Sequence, residues 1–84
     1  MPYVKQEVHI RLANTNKPEN AGELNYLITK LCAGYILDRG TRYSVINDVM
    51  GVLGAVQQEF YQRTAAPYEY LKRDENGDVY GRVS

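Results

Sequence analysis

The stretch Ser44–Ala66, SVINDVMGVLGAVQQEFYQRTAA, constrains the fold more than any other part of this chain. Ile46, Val49, Leu53, Val56 and Phe60 recur at alternating spacings of three and four, which marks one apolar face of a long helix. Ser44 reads as its N-cap, and Asp48 lies near the positive end of the helix dipole. Pro67 closes the far end in this reading, because it has no N–H to donate and restricts the residue before it.

A second stripe runs beside the first: Asn47, Gly51, Gly54, Gln58 and Tyr61. Each helix glycine costs about 1 kcal/mol relative to alanine, so two on one face imply a compensating close approach to the backbone. Two occupants fit: a neighbouring helix, from this chain or a symmetry mate, or a ligand held by Asn47, Gln58 and Tyr61 over a glycine floor.

The remaining chain builds around that helix as a single domain of 84 residues, near the lower end of what folds on one core. It divides into an N-terminal segment and loop (1–21), a helical hairpin (22–66) and a tail (67–84). In the opening segment Val8, Ile10 and Leu12 alternate as in a strand, yet Val8 and Leu12 also share a helical face. The helix-forming content of Lys5–Ala13 favours a short helix. His9, the sole histidine, has no Cys, Asp or second His near it and reads as an ordinary surface or half-buried residue. NTNKPEN is a turn, and Asn20 with Glu23 makes a capping arrangement for a helix running to Arg39, with Gly40 as its stop.

That helix buries Leu24, Leu27, Ile28, Leu31 and Tyr35 on an inner face, while Tyr26, Ala33 and Leu37 lie with Lys30 on a second, outer one. Packing the two long helices as an antiparallel hairpin through Gly40–Tyr43 covers one face of each. A homo-oligomer is the economical cover for the others. In the tail, Asn76-Gly77 is a turn signal whose flanks, Tyr70–Glu75 and Asp78–Val83, read as the arms of a hairpin, or as a polar tail anchored by Tyr68, Tyr70 and Tyr80. Asp74, Asn76 and Asp78 alternate like the opening of a calcium loop, but the required glycine falls at Val79 and no closing glutamate follows.

Composition narrows the function. Ten basic and ten acidic side chains cancel, which removes the electrostatic argument for nucleic acid or an anionic membrane. No run has the length of a transmembrane helix, and no apolar signal core opens the chain. A single cysteine, Cys32, allows no intrachain disulfide, suits a reducing cytoplasm and reads as packing. No phosphate loop, zinc ligand set or nucleophile–base pair is present, so neither an enzyme nor a cofactor is expected. Glu59 and Arg63 have the i,i+4 spacing of an exposed salt bridge.

Binding remains. Lys30, Arg39, Arg42 and Arg63 with Tyr26, Tyr43, Tyr61 and Tyr68 form the mixture of arginine and tyrosine that holds a nucleotide-sized anion and that also makes protein–protein hot spots. The segments MPYVKQE, GELNYLITKL, YSVINDVMGVL, EFYQRTAAPYE and ENGDVY together resemble a family of short, uncharacterised proteins common in bacterial and phage genomes. Val8–Ala21 carries none of these motifs, and Gly81–Ser84 extends past the family's usual end.

The resemblance implies a cytoplasmic, phage-associated accessory protein. By analogy with small phage oligomers that sequester host nucleotide signals, it suggests a homo-oligomer with a site for an anionic, nucleotide-like ligand. The expected walls are Asn47, Gln58, Tyr61 and Tyr68, with Arg63 or Arg42 meeting phosphate. The alternative is a module that binds or blocks another protein through its tyrosine-rich faces.

Overall fold

A computed structural model describes residues 2–77. They are mainly helical, with no strand among the described residues: α1 (Gln6–Thr15), α2 (Ala21–Arg39), α3 (Tyr43–Phe60), a turn of π-helix (Tyr61–Ala65) and α4 (Ala66–Asn76). Contacts group the chain into two units, Met1–Val49 and Met50–Ser84, with the boundary inside α3.

In the first unit the ambiguous opening segment is helical, as its composition favours. Asn16 stops α1 in the left-handed conformation (φ 56°), and its N–H reaches back to the Leu12 carbonyl at 2.8 Å. The next helix starts as expected, with the Glu23 N–H donating to Asn20 Oδ1 at 2.9 Å. The Glu23 carboxylate turns back to accept from the Glu19 N–H, also at 2.9 Å. This is a capping box displaced by one residue. The carboxylate also receives the Arg11 guanidinium, which ties α1 to the first turn of α2. Gly40 ends α2 at φ 97°, a conformation that side chains rarely adopt.

Leu12 and Val45 are the buried apolar residues among those described, and Glu23 is buried with them. The expected inner face of α2 does not close. Leu27, Ile28, Leu31 and Tyr35 line an open groove of about 670 Å³ with Leu12 of α1, and Leu31 is 78% exposed. Tyr26 belongs to the packed side of α2, not to an outer face, because α1 lies against it through His9.

α3 begins two residues earlier than a cap at Ser44 would set it. The Ile46 N–H donates to the Arg42 carbonyl at 2.9 Å, so Ser44 lies inside the first turn instead of capping it. In the second unit, Pro67 does not stop the helix. The π-turn precedes it, with the Ala66 N–H bonded five residues back to the Tyr61 carbonyl. Pro67 then falls in the opening turn of α4, where its missing N–H is tolerated. Tyr70–Glu75 is therefore helix, not a hairpin arm. Gly77, at φ 90°, is its helix stop, with its N–H on the Arg73 carbonyl at 2.8 Å. The second arm, Asp78–Val83, and Tyr80 lie outside the described residues.

No described residue of the second unit is buried; Met50, Val56, Phe60 and Leu71 are all more than half exposed. Leu12, at 1% exposure, is the best-buried apolar anchor of the first. Leu12→Ala is expected to cost about 2–5 kcal/mol of that unit's stability, read by urea unfolding at fixed protein concentration.

Candidate functional site

Two sets of residues compete for a functional role. The first is the expected set. Arg42 and Asn47 belong to the unit 1–49; Gln58, Tyr61, Arg63 and Tyr68 belong to 50–84. Arg42 closes the end of α2, its guanidinium donating to the Arg39 carbonyl at 2.9 Å. Asn47 and Gln58 are exposed on α3. Gly51 and Gly54 between them have open space where a side chain would stand, so none of the described residues fills the glycine stripe.

The π-turn carries Tyr61 and Arg63. Arg63 makes the anticipated i,i+4 bridge, Nε donating to Glu59 Oε1 at 3.2 Å, and both side chains are largely exposed. The Glu69 carboxylate raises the Tyr61 phenol above its usual pKa, helped by desolvation and a hydrogen bond to Glu69. Tyr68, on α4, lies under the Lys72 ammonium, which is 5.5 Å from its ring centre.

The second set was not legible from spacing. α1 crosses α2 so that the His9 and Tyr26 rings meet edge-to-face, with centroids 4.7 Å apart and planes at 75°. The Tyr26 hydroxyl and His9 Nδ1 share a hydrogen bond of 2.8 Å. Beside them lies a pocket of about 300 Å³. Val4 and Ala33 give it apolar walls, Tyr3 a third aromatic ring, and Thr29 and Lys30 polar groups. The Lys30 ammonium is 5.9 Å from the Tyr26 ring centre.

The Arg11–Glu23 pair holds this arrangement from below. Arg11 also donates to the Lys17 carbonyl at 3.1 Å and lies 3.5 Å from Glu19. Its hydrogen bond, with the Glu19 N–H, pulls the Glu23 carboxyl below its usual pKa, while the pair raises that of Arg11. Among the described residues no group of three His, Cys, Asp or Glu side chains is placed to hold a metal ion. No helix among them is long and apolar enough to cross a membrane.

Of the five segments that carry the resemblance, MPYVKQE supplies Tyr3 and GELNYLITKL supplies Tyr26 and Lys30, so two of them meet at this pocket. A family model spans residues 1–79. The chain belongs to the family described as Domain of unknown function (DUF6899). That agrees with the resemblance to uncharacterised proteins and brings no activity with it. Neither the curated proteins nor the solved structures contain a match to this member.

The depressed Glu23 carboxyl sets the sign of an acid response. Its contribution is complete above the unfolded-state value near 4.5 and is lost as pH falls through the lower folded value. Helicity followed against pH should show the first unit weakening below about pH 4.5. Glu23→Gln should flatten that acid limb and lower stability at neutral pH.

Proposed function

We propose that this protein is a non-catalytic helical module that works as a homo-oligomer, with α2 of one copy covered by a helix of another. The observation that carries this reading is the open groove of the first unit, where Leu12, Leu27, Ile28, Leu31 and Tyr35 line about 670 Å³ that the described residues of that unit leave open. Gly34 on its floor has open space around it, which lets a partner backbone come close. The matching ridge is also in the chain. Val56 and Phe60, one turn apart on α3, are 58% and 63% exposed. A helix carrying an apolar pair at that spacing is the usual occupant of such a groove. Zero net charge leaves no long-range repulsion between copies. In this reading the antiparallel hairpin of α2 and α3 completes its core only when a second copy supplies the cover.

A second reading adds a ligand to the oligomer: sequestration of a small, anionic, nucleotide-like molecule, as in phage accessory proteins that blunt nucleotide signalling in the host cytoplasm. It draws support from the π-turn, a deformation frequent at functional sites, which carries both Tyr61 and Arg63 within five residues. Tyr68, Gln58, Asn47 and Arg42 would complete the walls, some of them from a partner copy. In the first reading this surface contacts protein instead.

Native mass spectrometry separates the outcomes. The proposal predicts a defined oligomer that Leu31→Lys or Phe60→Lys converts to monomer. A monomer at micromolar concentration in the unsubstituted protein would contradict it. An added mass of a few hundred daltons per site, lost in Tyr61→Ala/Arg63→Ala, would establish the ligand reading.

A further inference from the structure

The pocket beside His9 and Tyr26 has a chemistry that neither the oligomer nor the expected site uses. We propose that it binds a small aromatic oxyanion, a carboxylate or monophosphate attached to a planar ring. Three features of the first unit point there.

The pocket lining holds one cation, Lys30, and one ring N–H donor, His9. Lys30 supplies an ammonium group, and among the described residues no carboxylate lies within 4.0 Å of it. When the Tyr26 hydroxyl donates to His9 Nδ1, the ring proton sits on Nε2, leaving a second N–H donor at the imidazole. No Asp or Glu lines the pocket, so an anion entering it meets no like charge. Charge-assisted hydrogen bonds from lysine and imidazole are the strong kind that fix an oxyanion.

Its apolar part suits a flat ring. Val4 and Ala33 offer aliphatic contact, and the Tyr3 ring is 81% exposed. A ligand ring stacked on Tyr3 would cover part of that side chain. The volume, about 300 Å³, is at the small end of ligand pockets, which excludes large dinucleotides and leaves one ring with one anionic group.

Two of the walls, His9 and Tyr26, are positioned before any ligand arrives. The edge-to-face contact and the 2.8 Å hydrogen bond hold His9 and Tyr26 in one orientation. The Arg11–Glu23 pair fixes α1 against α2 one helical turn away. At these two side chains binding loses little to reorganisation, which helps a small ligand to bind well.

The test uses the full chain, labelled for amide NMR, with phenyl phosphate, benzoate and inorganic phosphate as probes. Phenyl phosphate and benzoate should shift the amides of Tyr3, His9, Tyr26 and Lys30 saturably at submillimolar to millimolar concentration, and more tightly than inorganic phosphate does. Lys30→Gln, at an exposed position, should weaken binding by about tenfold, the value of one charge-assisted bond, with helicity by circular dichroism unchanged. Tyr26→Phe keeps the ring contact, removes the hydroxyl and should weaken binding in the same direction. The proposal is overturned by unshifted amides with all three probes, by equal binding of inorganic phosphate and phenyl phosphate, or by affinity that Lys30→Gln leaves intact. Because the oligomer is read separately by mass, its failure and the failure of this site are independent results.

Discussion

Burial is the scarce resource in this chain, and its structure follows from where the little it has is placed. Among the described residues Leu12, Val45 and Glu23 are buried, and one of the three is a carboxylate. A buried carboxylate is tolerable only when paired and hydrogen-bonded, and Glu23 is both, through Arg11 and the Glu19 N–H. That knot joins α1 to the start of α2 and leaves Leu12 as the apolar contact beside it. Along α2 and α3, Leu31, Leu37, Val56 and Phe60 are more than half exposed.

What periodicity could show, it showed well at helix ends whose signals are local. The Asn20–Glu23 cap and the glycine stop at Gly40 are written in a few adjacent residues, and both are present. Signals with two meanings misled. A proline marks either the end of one helix or the first turn of the next, and Pro67 does the second because the π-turn resets the hydrogen bonding before it. Asn-Gly marks either a strand turn or a helix stop, and the helical run before Gly77 decides for the stop. The spacing along α2 alone puts Tyr26 on an outer face. The neighbour that packs on it, His9, is 17 residues away on another helix. No single-helix pattern encodes such a crossing.

The same logic explains the two candidate sites. The stripe Asn47–Tyr61 is legible because it lies along one helix, and its glycines still wait for an occupant. The His9–Tyr26 pocket is made by two helices and the segment before the first, so its members look unremarkable in order and become a set only in space. Membership in a family of unknown function leaves both open to chemistry. The open groove between α1 and α2 is a protein-sized problem, the pocket a metabolite-sized one, and one chain has room for both.

The central claim is that a single copy cannot complete its core. Thermal unfolding followed by circular dichroism over an about 100-fold range of protein concentration tests it most directly, because an oligomer that folds as it assembles has a midpoint set by mass action. The account predicts a midpoint that climbs steadily with concentration. A midpoint that stays constant across the range would mean the single chain is stable with its apolar groove open, and would contradict the account.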